Sequence, residues 1–226
     1  MLGTIINAAA VAIGSLIGLL LNFKLPERYH KILFQGIGLF TFFLGVKLAL
    51  NTNNLLIMVF SIVLGSITGE LVNIEKGMEK ISTKIKKRTG SLSNTFTEGF
   101  ITAFLLFCMG SMTILGAFEE GLGGKPNLLL AKSVLDGFSS IALASALGLG
   151  VLFSIIPLIV YQGGLTILTR YLGKFISEPI INELTAVGGI ILLGLALRIL
   201  KLKKINILNL LPALVFAVLL TSIFIK

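Results

Sequence analysis

Long apolar stretches fill most of this chain, and they restrict its fold more than any other feature. A membrane-spanning helix needs about 20 mainly apolar residues, and about eight stretches of that length can be placed along the sequence. The predicted spans are Leu2–Leu21, Ile32–Leu50, Leu55–Val72, Phe96–Leu115, Leu128–Leu147, Val151–Thr169, Ile180–Leu197 and Ile205–Ile225. The sequence therefore predicts an all-α, polytopic transmembrane helix bundle that forms a single integral membrane domain, 1–226.

The composition agrees with lipid as the main solvent. Hydrophobic residues make up 55% of the chain and charged residues 13%, against about 25% charged residues in soluble domains. The net charge of +9 is distributed by loop and does not cluster beside aromatic side chains, so nucleic acid is not an expected partner.

Basic residues concentrate in alternate connections, which predicts an orientation. They occupy the connections after the first, third and seventh spans, and loops rich in lysine and arginine face the cytoplasm. Both chain ends then face outward, with Arg170 and Lys174 as exceptions on the outer side. The turn Gly148–Gly150 is short, and it leaves open whether the fifth segment crosses fully. A re-entrant fifth segment would move the basic loop after the seventh span outside, which the orientation rule disfavours.

The connection after the third span has the pattern of an amphipathic helix. Apolar residues from Leu71 to Ile85 recur at helical spacing, with Lys76, Lys80 and Lys84 on other faces. Such a helix lies on the inner leaflet, where each basic residue gains about 1 kcal/mol from anionic headgroups. Two interpretations stay open: a membrane anchor, or a surface over 71–88 through which a non-transporting scaffold binds a cytoplasmic partner.

Two segments resemble each other and suggest an internal repeat. The stretch from Gly14 and the stretch from Gly164 each combine a glycine-bearing helix, a basic patch, a proline and a following span. The repeat units would be 1–73 and 149–226, around central helices 96–148, and the two three-helix units would have inverted orientation. Because apolar helices resemble each other by composition alone, unrelated helices also explain the likeness.

Asp136 is the carboxylate that the predicted spans place deepest. It lies about eight residues into the fifth span, or about 12 Å, close to the midplane. Charges at that depth cost about 2.5 to 3.5 kcal/mol, whereas Lys47 and Glu183 lie near span ends and are expected to snorkel to the interface. Lys132 precedes Asp136 by one helical turn and can pair with it. The pair is either a structural lock or a proton or cation site whose occupancy Lys132 controls.

Small, polar and helix-breaking residues surround this pair. Ser133, Gly137, Ser140 and Ala144 form a stripe that lets another helix approach closely, and Asn7 of the first span offers either an interhelical hydrogen bond or a ligand. Glycines from Gly110 to Gly124, and the segment 157–164 of the sixth span, predict broken helices near the midplane. The predicted substrate- or ion-binding residues are Asp136, Lys132, Ser133, Ser139, Ser140, Ser111, Thr113, Gln162, Gly163, Gly164 and Thr166.

Enzymatic chemistry is not expected. His30 is the only histidine and lies in the first basic connection, so no histidine-bearing zinc motif or Ser–His pair forms within the bilayer. An aspartyl protease would need two deep carboxylates, and the spans supply one. Cys108 is a lone thiol within a span. The sequence indicates neither a metal nor a cofactor.

Several segments resemble a known family. The stretches MLGTIINAAAVAIGSLIG, FCMGSMTILGAFEEGLGG, KSVLDGFSSIALASALGLGV and YQGGLTIL are similar to the bacterial membrane proteins typified by YqgA and YdfK, over nearly the whole chain. The resemblance implies a bacterial inner or plasma membrane location and a transport protein, without a substrate or site residues.

Together these observations favour a secondary transporter or exchanger for a small solute or ion, proton- or sodium-coupled through Asp136. A homodimer is expected if an elevator or rocking motion needs a second copy of the chain. The alternatives are a passive ion or solute channel and a membrane scaffold.

Overall fold

The structure is a computed structural model that describes residues 1–22, 27–88, 95–108, 111–172 and 177–225, and every regular element in these ranges is helical. This confirms the all-α prediction. The elements are α1 (Leu2–Asn22), α2 (Glu27–Ala49), α3 (Leu55–Val72), α4 (Ile74–Arg88), α5 (Phe96–Cys108), α6 (Ser111–Gly121), α7 (Asn127–Leu147), α8 (Gly150–Phe153), α9 (Ile155–Leu172), α10 (Glu178–Ile199), a short 3-10 helix (Ile207–Leu210) and α11 (Pro212–Phe224).

Six helical segments of the described chain are long and apolar enough to cross a membrane. They are Leu2–Leu21, Leu55–Val72, Asn127–Leu147, Gly150–Tyr171, Glu178–Ile199 and Ile207–Phe224. Helices α5 and α6 pass the same test together and give up to seven, while the apolar part of α2, Gln35–Ala49, is shorter. The count of about eight spans and the inverted repeat stay predictions.

The chain divides into two compact units. The first comprises Met1–Phe34, Ser82–Cys108 and Met112–Phe175, and the second comprises Gln35–Ile81, Met109–Ser111 and Ile176–Lys226.

In the first unit, α1 and α7 pack closely through small residues. A side chain at Gly14 would overlap the Ser140 hydroxyl and the Gly137 carbonyl, and one at Gly18 would come within 2.9 Å of the Ala144 Cβ. The predicted small-residue stripe therefore does admit another helix, and that helix is α1. This close approach brings polar side chains of α1 and α7 within hydrogen-bonding distance.

Of the two predicted helix breaks, the one in the fourth span is present. In the sixth span the interruption lies at Ser154, between α8 and α9, and not at Tyr161–Gly164. The fourth predicted span divides into α5 and α6, whose axes differ by 59°. By contrast, α9 runs without interruption through Tyr161–Gly164, so the prediction of unwound backbone there was wrong. Pro157 lies in the first turn of α9, where a missing N–H removes no helical hydrogen bond. Gln162 and Gly163 are buried against α1 as parts of this unbroken helix.

In the second unit, a buried carboxylate of α10 holds the turn before α3. Glu183 is fully buried and accepts hydrogen bonds from the Thr52 hydroxyl (2.7 Å) and the backbone N–H groups of Asn53 (2.8 Å) and Asn54 (2.9 Å). The Asn54 side chain in turn caps α3. The expectation that Glu183 snorkels was therefore wrong, since the turn supplies the donors that water would otherwise provide.

The predicted amphipathic helix is interrupted at its start. Asn73 adopts the left-handed conformation (φ 60°) and ends α3, so α4 begins at Ile74. Glu75 is buried against Arg198, with Oε1 2.5 Å from Nη1, and its Oε2 accepts from the Leu208 N–H at 3.0 Å. The lysines Lys76, Lys80 and Lys84 are exposed. The start of α4 is thus fixed within the second unit by an ion pair, and the exposed lysines follow it.

Candidate functional site

Five buried polar side chains meet in the first unit, and we refer to them as the polar cluster. Thr4 and Asn7 come from α1, Lys132 and Asp136 from α7, and Gln162 from α9. Asn7 and Gln162 are fully buried, and Asp136 is 8% exposed. The spacings Thr4 to Asn7 and Lys132 to Asp136 place each pair on one helix face. Three helices that are distant in sequence therefore contribute to one site.

Asn7 is the central member of the polar cluster. Its Nδ2 donates to Asp136 Oδ2 at 3.0 Å and to Gln162 Oε1 at 2.9 Å. Gln162 Nε2 donates to Thr4 Oγ1 at 3.3 Å. The Lys132 ammonium pairs with the same Asp136 oxygen that Asn7 contacts, as the sequence predicted. A continuous hydrogen-bonded path thus joins Lys132 to Thr4.

The charges of the polar cluster cancel. Lys132 supplies one positive and Asp136 one negative charge, and the ammonium also lies 5.9 Å from the centre of the Phe107 ring, within cation–π range. A buried ion pair rarely stabilises a fold more than apolar residues of the same volume would, because both ions lose their hydration. Stability alone therefore does not explain why this chain places two charges among apolar helices.

Two acceptor oxygens of the polar cluster keep lone pairs for a further ligand. Asn7 Oδ1 is buried and has no hydrogen-bond partner among the described residues. Both described hydrogen bonds to Asp136 end on Oδ2, which leaves Oδ1 to accept another donor or a cation. A buried polar atom without a partner costs about 1 to 3 kcal/mol, so such atoms indicate a ligand or a functional role.

A second carboxylate contacts the first turn of α1. Glu120 Oε1 lies 2.9 Å from the Gly3 nitrogen and 2.8 Å from the Met1 amino nitrogen, while Oε2 is buried and has no partner in the described part of the chain. Glu120 belongs to α6, which follows the break after α5. Helix α1 is therefore in contact with two acidic residues, Glu120 at its first turn and Asp136 at the level of Asn7.

Four of the predicted hydroxyl residues in the first unit have described hydrogen bonds, and all of these go to main-chain carbonyls. Ser133 donates to Leu129 (2.6 Å), Ser140 to Gly137 (2.7 Å) and Thr166 to Gln162 (3.0 Å), each within its own helix. Thr113 donates to the Phe107 carbonyl at 2.9 Å and so links α6 to the last turn of α5. Their role as ligands stays a prediction.

The remaining predicted residues differ in their surroundings. Ser139 is half-buried, Gly163 is buried beside Met1 and Thr4, and Gly164 is exposed with open space around it. The side chain of Ser111 lies outside the described residues. Among the described residues, no group of three or more His, Cys, Asp or Glu side chains is placed to hold a metal ion.

Sequence reasoning left two members of the polar cluster out of the predicted site. Thr4 was not singled out, and Asn7 was considered only as an interhelical hydrogen bond or a weak ligand. The Asn7 carboxamide within an otherwise apolar span is a signal, since it must find partners inside the protein. The Thr4 hydroxyl gives no such signal, because a helical threonine can donate to a carbonyl of its own helix. The sequence does not indicate which helix supplies those partners.

Comparisons with known proteins give the family to which the chain belongs. The profile of the family "Protein of unknown function (DUF554)" matches residues 2–222. "Uncharacterized membrane protein YdfK" of Bacillus subtilis (strain 168) is 36% identical over 222 residues, which are 95% of this chain and 93% of the relative. "Uncharacterized protein YqgA" of Escherichia coli (strain K12) is 34% identical over 221 residues, which are 96% of this chain and 94% of the relative. No solved structure matches the chain significantly.

The family profile and both relatives extend over nearly the full length of this chain, and six of its described helical segments are long and apolar enough to span a membrane. The chain therefore belongs to the DUF554 family of proteins of unknown function, and it is a membrane protein with several spanning helices.

Proposed function

We propose that this protein is a secondary transporter or exchanger that moves a small solute or ion across a bacterial inner membrane, with Asp136 as the coupling residue. The observation that carries the proposal is the polar cluster: a buried Lys132–Asp136 pair, connected through Asn7 to Gln162, with an Asn7 acceptor oxygen that has no partner among the residues described. Ionisable residues within membrane spans typically mark substrate or ion pathways.

The arrangement of the helices adds support. The polar cluster joins α1, α7 and α9, and the broken pair α5 and α6 lies in the same compact unit. Discontinuous helices beside a buried polar site are typical of secondary transporters, because the broken ends offer backbone groups to a ligand. A carboxylate can hold a proton or a cation in turn, and its neutralisation changes the charge that must cross the membrane.

The test is a flux assay on purified protein in liposomes that contain the pH indicator pyranine. Gradients of sodium, potassium and chloride salts and of pooled amino acids, sugars and carboxylic acids are imposed one at a time. We expect one of them to drive proton movement in the wild type and Asp136→Asn to abolish it. Glu79→Gln removes an exposed carboxylate from α4 and is the matched control, which retains the flux.

The outcomes separate the candidate functions. Flux that Asp136→Asn leaves unchanged would rule out the coupling role of this residue. Currents that do not saturate with ion concentration would indicate a passive channel. Absence of any flux from folded, reconstituted protein, together with a cellular phenotype from deleting 76–88 alone, would indicate a scaffold.

The proposed orientation places both chain ends outside and the basic connections in the cytoplasm. The chain has one cysteine, Cys108, and it is buried, so a Cys108→Ala background suits labelling from either side. A cysteine in place of exposed Asn53 should react with an impermeant maleimide added to intact cells, whereas one in place of exposed Lys84 should react only after lysis. The reverse pattern would overturn the orientation.

A further inference from the structure

Two buried hydrogen-bond donors of the polar cluster meet at one oxygen atom. Asp136 Oδ2 accepts from the Lys132 ammonium and from Asn7 Nδ2, the latter at 3.0 Å. The donors come from different helices, α7 and α1, and Lys132 is 4% exposed while Asn7 is fully buried. A cationic donor combined with a neutral N–H is a strong arrangement for binding a carboxylate. The two donors therefore form an anion-binding position, and the Asp136 carboxylate occupies it.

The Lys132 ammonium has a second contact that keeps it in place. It lies 5.9 Å from the centre of the Phe107 ring, whose face attracts a positive charge. An aromatic ring offsets only part of the hydration that a buried ammonium loses. If Asp136 were neutral, the ammonium would stay beside Phe107 and would need another anion as its partner.

We propose that Lys132 Nζ and Asn7 Nδ2 form a binding site for the carboxylate of a small monovalent organic acid, and that Asp136 is the tethered occupant of this site. The inference rests on the proposed transport function and gives its substrate class. Beyond its Cα, an aspartate side chain has the structure of acetate, so a free monocarboxylate reproduces the group that the two donors already hold. A divalent anion would leave the buried site negative even beside a neutral Asp136.

Charge balance gives the binding step. With Lys132 protonated and Asp136 ionised, the polar cluster is neutral. When a solute carboxylate pairs with the ammonium, a proton from solvent forms an O–H bond on the Asp136 carboxylate, and the Lys132–Asp136 ion pair separates. Lys132 keeps all of its protons. One anion enters with one proton, so the empty and loaded forms carry the same charge and neither leaves an uncompensated ion among apolar helices.

The titratable groups around the pair leave Asp136 as the one that gains this proton. Helices α1 and α8 carry no titratable side chain. Helix α5 contributes the buried Cys108, which interacts electrostatically with both Lys132 and Asp136, and α9 contributes Tyr161 near Cys108. Thiols and phenols are mainly neutral between about pH 6 and 7.5, so these two groups neither supply nor take up a charge there.

The experiment measures equilibrium binding, which does not depend on transport. The thermal unfolding midpoint of purified full-length protein in detergent is titrated with sodium formate, acetate or lactate. Sodium chloride and sodium nitrate at equal concentration are the controls. Asp136→Asn removes the negative charge at constant shape and represents the neutral form. We expect at least one carboxylate to raise the midpoint of Asp136→Asn to saturation, with a half-saturating concentration that does not change with pH, because asparagine does not titrate.

In the wild type, the same carboxylate should bind together with a proton. In weakly buffered solution with a pH indicator, it should cause uptake of about one proton per chain, whereas Asp136→Asn should take up none. The half-saturating concentration for the wild type should rise about tenfold per pH unit between about pH 6 and 7.5, since each bound anion requires one bound proton.

Further variants assign the roles of the two donors. The double variant Asp136→Asn/Lys132→Gln should lose the carboxylate response. Asn7→Leu should raise the half-saturating concentration of the wild type roughly ten- to a hundredfold, because one hydrogen bond to a charged group is lost. Lys80→Gln, which removes an exposed lysine of α4, is the matched control and should behave as the wild type.

Several results would overturn the inference: no saturable rise in the midpoint of folded Asp136→Asn with any of the three carboxylates, a rise equal to that with chloride or nitrate, or an undiminished response of Asp136→Asn/Lys132→Gln. If Asp136→Asn fails to fold, wild-type protein that takes up no proton with any of these carboxylates would overturn it as well. Asp136-dependent flux of another solute, in protein without a carboxylate effect, would remove this inference and leave the transport function standing. Absence of both the carboxylate effect and the flux would remove both proposals.

Discussion

The Lys132–Asp136 pair permits a test that separates a structural role from a functional one. Asp136→Asn keeps an oxygen acceptor for Asn7 but removes the negative charge, and Lys132→Met removes the positive charge at nearly constant volume. Each single change leaves one ion buried, because the side chain of Lys132 is 5% and that of Asp136 11% exposed. An uncompensated charge within a span costs about 2.5 to 3.5 kcal/mol, so each single variant should lose roughly that much free energy of unfolding.

The double variant Asp136→Asn/Lys132→Met removes both charges together. Neutral hydrogen bonds between membrane helices contribute about 0.6 kcal/mol on average, so the double variant should lie within about 1 kcal/mol of the wild type. The coupling free energy between the two positions is then about 4 to 7 kcal/mol. This coupling is smaller if, in a single variant, the remaining ion becomes neutral by gaining or losing a proton. We expect the double variant to be folded and without flux.

The assay is equilibrium unfolding by sodium dodecyl sulfate in mixed micelles, followed by circular dichroism, for the wild type and all three variants. A double variant that is less stable than either single variant would contradict the reasoning, because the pair would then be a net stabiliser. Single variants that match the wild type would contradict it as well, because the charges would then have to reach water. A stable double variant that retains full flux would show that the pair is not needed for transport.

Three further predictions concern packing and the second unit, and the thermal unfolding midpoint measures each. Gly14→Val should lower the free energy of unfolding by about 1 to 3 kcal/mol or more, since the valine side chain would meet the backbone of α7. Gly164→Val is the control, because open space surrounds Gly164 and the stability should change little. Equal effects of the two variants would contradict the described packing. Glu183→Ala should lower the free energy of unfolding by about 2 to 3 kcal/mol, because it removes three hydrogen bonds from the turn before α3. An unchanged unfolding midpoint would refute the role of Glu183 in holding that turn. Arg198→Gln should lower the free energy of unfolding by about 1 to 3 kcal/mol, because Glu75 stays buried without its positive partner. The double variant Glu75→Gln/Arg198→Gln should recover part of that free energy. No recovery would argue against the ion pair.

The sequence predicted features that depend on neighbours along one helix. The apolar stretches predicted the helices, because length and hydropathy are local properties. The Lys132–Asp136 pair was predictable for the same reason, since residues four apart share a helix face whatever surrounds them. The stripe opposite Gly14 and Gly18 was also predictable, because small residues at helical spacing serve close packing in any membrane bundle.

Local rules failed where a distant partner decided the outcome. Glu183 looked like a snorkelling residue because it lies near the end of a predicted span, yet the turn before α3 supplies its hydrogen-bond donors. The Tyr161–Gly164 segment looked like a break because two glycines follow one another, yet it stays helical and packs against α1, where Gln162 donates to Thr4 and Gly163 lies beside Met1.

The sequence by itself determined that this chain is a bundle of membrane-spanning helices and that one of them carries a charged pair. Only the tertiary structure decided which residues complete the polar cluster, because Asn7 contacts Asp136 and Gln162 across 129 and 155 positions of the chain. In a soluble helix the apolar face points to the core, but a membrane helix is apolar on its lipid side as well. Hydropathy therefore does not indicate which face of α1 turns inward, and only the packing of α1 against α7 and α9 brings the site together.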